Sequence, residues 1–85
     1  MRGLEFLVSA YILAKVETGK DKDVVNEMKM IPEVKKISLT YGAYDIAIEA
    51  TFETIEDLDR FVFDKLRKDP KVKETLTVIC SLTVC

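Results

Sequence analysis

Five consecutive residues, Tyr41-Gly42-Ala43-Tyr44-Asp45, carry more chemistry than a chain reversal needs. A two-residue hairpin turn is satisfied by Asn-Gly or a similar pair. Gly42 suits a turn that needs positive φ or a close backbone approach. Two tyrosines and a carboxylate go beyond that requirement. Exposed N–H groups of such a turn can hold a carboxylate, and Asp45 can hold an ammonium. Together these are the complementary charges of a zwitterionic amino acid. The plainer alternative is that Asp45 closes an Asx-type turn while the tyrosines only pack.

Other chemistry finds little support. The chain contains no histidine, which removes the usual general base at neutral pH and the commonest metal ligand. Its three glycines are isolated, so no phosphate-cradling loop is present. The two cysteines, Cys80 and Cys85, have no zinc spacing. On one unbroken strand they would sit about 16 Å apart on opposite faces, which excludes an internal disulfide and leaves a bond between subunits open. Glu53, Glu56, Asp57, Asp59 and Asp64 fall on expected helix exteriors, where solvation explains them. No catalytic residue, metal or cofactor is therefore expected.

The elements around the bend come from periodicity. Leu4, Phe6, Val8, Ala10, Ile12, Ala14 and Val16 alternate with more polar neighbours, the mark of a strand. Asp21 is a candidate cap for a helix running to about Met30, with Val24, Val25 and Met28 as its apolar stripe and Pro32 as its stop. Strands are expected over 34–41 and 44–52. Thr54, followed by Glu56 and Asp57, opens a second helix that carries Ile55, Leu58, Phe61, Val62 and Leu66 and ends at Asp69-Pro70. Alternation resumes over 72–84, with Val72, Leu76, Val78, Cys80, Leu82 and Val84 on one face. The segment IPEVKKISL after the first helix mirrors DPKVKETLT after the second.

The order β-α-β-β-α-β with this internal repeat specifies an α+β, ferredoxin-like sandwich: a four-stranded antiparallel sheet with both helices on one face. Eighty-five residues make one small domain whose core alone is marginal, and 48% hydrophobic content argues against disorder. The uncovered sheet face should be polar in a monomer. Instead Leu7, Tyr11 and Leu13 point outward, and Ile79 is expected outward among Thr75, Thr77, Ser81 and Thr83. Such a patch predicts sheet-to-sheet association, most simply a two-fold dimer. Phe63, off the helix stripe, is a candidate for a second contact.

Net charge is −2 with a pI near 5.1, so no basic field draws in a phosphate backbone. An RNA-recognition domain shares the strand order, but the third strand, Asp45-Ile46-Ala47-Ile48-Glu49, lacks stacking aromatics and cations. The apolar run at the N-terminus is too short and too interrupted for a membrane span and has no signal-peptide cleavage region. The expected location is the cytoplasm.

The combination of TYGAYDIAIEA, ETIEDLDRFV and VKETLTVICSLTV resembles the effector domain of Lrp/AsnC-type regulators, often called the RAM domain. That pattern has Gly-x-Tyr-Asp after a strand, an Asp-Leu-rich helix, and Val-x-x-Thr-x-Thr on the last strand. Here it falls on Gly42-Ala43-Tyr44-Asp45, Leu58 with Phe61, and Val72 with Thr75 and Thr77. The resemblance implies dimers joined through their sheets, assembling into octamers or decamers. It implies an amino acid effector bound between dimers, with Tyr41, Gly42, Ala43, Tyr44 and Asp45 on one side and Thr75 and Thr77 on another. Asp45 would meet the ammonium and the 42–44 backbone the carboxylate. Family regulators carry an N-terminal helix-turn-helix, and this chain starts at the effector domain. It is thus expected to be a single RAM-like domain over 1–85 that does not bind nucleic acid directly and works alone or with a full-length Lrp/AsnC-type regulator. Two other readings share the fold. A small dimeric monooxygenase-like enzyme needs a pocket often furnished with His, Asn or Trp, of which only Asn26 is present. An ACT-type module would place ligand contacts at residues 17–20.

Overall fold

A computed structural model describes residues 7–80. The order is β1 (Val8–Val16), α1 (Asp21–Met28), β2 (Val34–Leu39), β3 (Ile46–Phe52), α2 (Ile55–Arg60) with a π-helical continuation (Phe61–Leu66), and β4 (Val72–Ile79). The four strands form one antiparallel sheet in the order β2-β3-β1-β4. The expected ferredoxin-like architecture is present. The parts of the expected first and last strands that fall on Leu4, Phe6 and residues 81–85 lie outside the described residues.

Alternation in β1 translates directly into layers. Ala10, Ile12, Ala14 and Val16 are buried, and Ala50, Ile48 and Ile46, the β3 partners of the first three, share the same face. Val24 and Met28 of α1, and Leu58, Phe61, Val62 and Leu66 of the second helix, close over that face. The Phe52 and Phe61 rings meet 5.6 Å apart, tilted by 40°.

Helix ends follow local chemistry, with one correction. Thr54 is extended, and its side-chain oxygen accepts the Asp57 N–H at 3.0 Å, the cap expected from sequence. For α1 the cap position is Lys20, with no side-chain cap; Asp21 is already helical and accepts from its neighbour Lys22 N–H at 2.9 Å. Helix α1 also stops at Met28, two residues short of expectation, and turns through hydrogen bonds from Ile31 N–H to Met28 O and from Val34 N–H to Ile31 O. The second helix widens after Arg60, where Arg67 N–H reaches Val62 O at 2.8 Å. This leaves Phe61 and Val62 buried side by side, while Phe63 is exposed beneath the Arg67 guanidinium at 5.0 Å.

The larger correction concerns β4. Lys15 pairs with Glu74, but Val16 pairs with Val72, so Lys73 is an extra, unopposed residue. This bulge breaks the period of two. Val72 faces the helices, and beyond the bulge Thr75 and Thr77 do so as well, opposite Ala14 and Ile12. Leu76 and Val78, opposite Leu13 and Tyr11, lie on the open face instead of the helix face, and Ile79 is turned to the helix side. An uninterrupted even-odd reading from Val72 places Val72 correctly and reverses every residue beyond the bulge. A second bulge, at Lys35, offsets β2 against β3.

Candidate functional site

The hairpin that joins β2 to β3 is longer than its strands were expected to allow. β2 ends at Leu39 and β3 begins at Ile46, so residues 40–45 are free of the ladder. Gly42 has φ +112, a conformation that side chains rarely adopt. Thr40 N–H donates to Asp45 O at 2.8 Å, and the Thr40 hydroxyl donates to Tyr44 O at 2.8 Å, closing the loop at its base.

Asp45 fastens that loop to the sheet. Its N–H donates to Ala14 O at 2.9 Å, and its Oδ2 accepts the Val16 N–H at 2.9 Å. The carboxylate thus stands in for the strand carbonyl that Val16 would otherwise meet. One oxygen of the residue expected to receive an ammonium is already committed to the backbone. Tyr44 makes the second attachment: its hydroxyl donates to Glu74 Oε2 at 3.2 Å, and its ring lies 6.0 Å from the Lys15 ammonium. Desolvation, then the Glu74 charge and its hydrogen bond, raise the Tyr44 hydroxyl pKa above its ordinary value.

Beneath this loop is an open cleft of about 710 Å³. Gly42, Ala43 and Asp45 supply its hairpin wall. The opposite wall is the β1–α1 connection, Glu17, Thr18 and Gly19, with Asp21 at the helix start. Lys15, Lys73 and Glu74 supply charges from the strands. The hairpin and the β1–α1 loop, considered from sequence as rival binding positions, therefore face one shared space. Both signs of charge line it, with carboxylates in excess of ammonium groups.

The other expected residues are placed differently. Tyr41 projects at the hairpin tip, fully exposed, and does not line the cleft. Thr75 lines a neighbouring cleft of about 330 Å³ with Arg67 and Val72; Lys73 and Glu74 border both spaces. Thr77 is half-buried on the helix side and lines neither. Lys15, Lys73 and Glu74 were not singled out from sequence. Lys15 and Glu74 could have been found only by pairing β1 with β4 in the correct register, which the bulge disguises.

The open sheet face carries Tyr11, 48% exposed, Leu76, 45%, and Val78, 50%, with Leu13 half-buried between them. Three neighbouring large apolar side chains left half in water form a contiguous apolar patch of the kind that marks an interface. Cys80 is half-buried and unpaired; Cys85 lies outside the described residues. Among the described residues no cluster of His, Cys, Asp and Glu suits a metal ion, and no helix is long and apolar enough to cross a membrane.

A small α+β sandwich with a charged cleft at its β2–β3 hairpin is the class of domain that fold and site define. Residues 9–85 match the Lrp/AsnC ligand binding domain. The chain belongs to that family. It is 35% identical over 72 residues to an uncharacterized HTH-type transcriptional regulator, PH0140, of Pyrococcus horikoshii, covering 85% of this chain and 46% of the relative. It thus spans about half the length of the curated relatives it matches. Among solved structures, the hypothetical protein PHS023 from Pyrococcus horikoshii superposes with a TM-score of 0.83 at 37% identity, covering 89% of this chain and 92% of that one. The fold also matches the regulator NMB0573 in complex with L-Met from Neisseria meningitidis, TM-score 0.83 at 21% identity, over 92% of this chain and 52% of that one. The matched relatives are named as HTH-type transcriptional regulators, and the matched family model is that of a ligand binding domain.

Proposed function

We propose that the chain is a non-enzymatic, oligomeric effector-binding unit that takes a free amino acid at the β2–β3 hairpin. One observation carries the reading: the hairpin cleft brings carboxylates and ammonium groups together over a space of amino-acid size or larger. A zwitterion needs both. The L-Met bound to the structurally similar regulator supports the same ligand class. Gly42, Ala43 and Asp45 form the hairpin wall, with Tyr44 braced across the sheet. Tyr41 and the Thr75–Thr77 stretch stand outside this cleft, where a neighbouring dimer would bring them into play.

In this reading residues 1–85 act as one domain in the cytoplasm. The apolar sheet face joins two copies, and dimers assemble further into an octamer or decamer. With an acidic net charge the domain makes no direct contact with nucleic acid. It reaches transcription through a full-length Lrp/AsnC-type regulator, whose assembly it shifts by favouring one liganded state.

The test is a thermal-shift screen against the twenty L-amino acids, one at a time, with light scattering on the same samples. A ligand at a hundredfold excess over its Kd adds about 2.7 kcal/mol. For a domain of this size that raises Tm by roughly 10 °C or more. A flat response to all twenty, from particles of single-chain mass, would falsify the proposal.

A further inference from the structure

We infer that Glu74, not Asp45, is the carboxylate that receives the ammonium of the bound ligand, and that Tyr44 is the residue that positions it. The inference rests on the effector-site reading above and assigns a role within that site.

Asp45 is spent on architecture. Its side chain holds the Val16 N–H, its own N–H holds Ala14 O, and its carbonyl holds the Thr40 N–H. With Oδ2 fixed on the Val16 N–H, a ligand ammonium could reach only Oδ1 of a half-buried carboxylate whose orientation the sheet already sets. Glu74 has no such duty. It is exposed, borders the cleft, and forms no ion pair among the described residues. Among the described residues its carboxylate has one hydrogen bond, from the Tyr44 phenol at 3.2 Å. A neutral donor on one oxygen fixes the carboxylate without neutralising its charge, which leaves it able to receive a cation.

The surroundings agree. Lys15, directly opposite Glu74 in the β1–β4 ladder, is drawn toward the Tyr44 ring, and Lys73 stands beside it in the chain. Both lysines border the same cleft and can take the ligand carboxylate. The remaining acids, Glu17 and Asp21, sit on the opposite wall. The site so described recognises an α-amino acid by its two charged ends.

The experiment uses the full chain and the amino acid that gives the largest thermal shift in the screen, together with the matching α-hydroxy acid, in which a hydroxyl replaces the ammonium. The wild-type chain should bind the amino acid at least tenfold more tightly than the hydroxy acid by calorimetry. Glu74→Gln should fold as well as wild type, weaken the amino acid about tenfold or more, and bind the two compounds alike. Glu74→Asp should recover part of the discrimination, and Tyr44→Phe should lose part of it. Asp45→Asn should lower Tm without ligand yet keep the preference for the amino acid. The inference is overturned if Glu74→Gln keeps the wild-type preference, or if Asp45→Asn alone abolishes it. A wild-type chain that responds to none of the twenty removes the effector-site reading itself, which separates the two failures.

Discussion

Replacing Asp45 with alanine tests whether the hairpin is held by a side chain acting as a strand acceptor. The bond from Val16 N–H to Asp45 Oδ2 is 2.9 Å long, and Val16 is only 7% exposed. Alanine removes the charged acceptor and leaves a donor at a buried strand end. Hydrogen bonds to charged groups contribute about 1.5–3 kcal/mol net, and an orphaned buried donor costs about 1–3 kcal/mol. Asp45 itself is half-buried, so water can replace part of the bond, and about 2 kcal/mol is the expected loss. For a domain of 60–100 residues each kcal/mol shifts Tm by about 4–8 °C, which puts the fall near 8–16 °C. Urea denaturation followed by circular dichroism, at one fixed chain concentration, measures it without confusion from self-association. Asp45→Asn keeps an oxygen acceptor and should lose about half as much. An alanine variant within 0.5 kcal/mol of wild type would show that the carboxylate does not hold β1 and that the hairpin is fixed by its backbone bonds alone.

Three further perturbations probe other parts of the molecule. Leu76→Glu places a charge in the centre of the open-face patch and should convert dimers to single chains in sedimentation velocity, with circular dichroism unchanged; unchanged mass would show that the patch is not the interface. Gly42→Ala meets no atom within 4 Å of the added Cβ, so its cost is backbone strain alone at φ +112, about 1–2 kcal/mol by chemical denaturation; a neutral result would mean the hairpin relaxes to another turn. Burial works to raise the Asp69 pKa, but the Lys71 backbone N–H at 3.0 Å and its ammonium at 3.1 Å outweigh it and hold the carboxyl below its ordinary value. A depressed folded-state pKa gives stability that is present above the ordinary aspartate range and lost as pH falls through the lowered value. Asp69→Asn should therefore be less stable than wild type at neutral pH and converge on it in acid, read by urea midpoints from pH 7 to 2; parallel curves would refute the linkage.

Much of the architecture could be read from local signals. The alternation in β1 survives intact because no bulge interrupts it until Val16, and Thr54 caps its helix because a hydroxyl three residues before a free N–H needs no tertiary help. The β2–β3 bend was likewise visible from Gly42. What escaped depended on partners distant in the chain. The faces of β4 turn on Lys73 finding no opposite residue on β1, a fact about pairing rather than composition. The role of Asp45 depends on a backbone group 29 positions away, and the cleft exists only because the β1–α1 loop folds up to the hairpin. The widened turn at Phe61–Leu66 has no signature in its residues, which read equally well as an ordinary helix.

The bulge in β4 has a consequence for how charge is spaced. A regular strand shows alternate residues to one side, so two side chains bordering the same hollow stand about 6.6 Å apart along the backbone. With one residue squeezed in, Lys73 and Glu74 both border the hollow from adjacent positions. A plus and a minus are thereby presented at half the usual pitch, on a rail too coarse to offer them otherwise. Excising Lys73 would restore even pleating and leave every apolar side chain pointing where it does now, yet it would take away one pole of that pair. A chain of this architecture can thus retune what its hollow prefers by gaining or losing a single link, without disturbing the apolar face of the sheet.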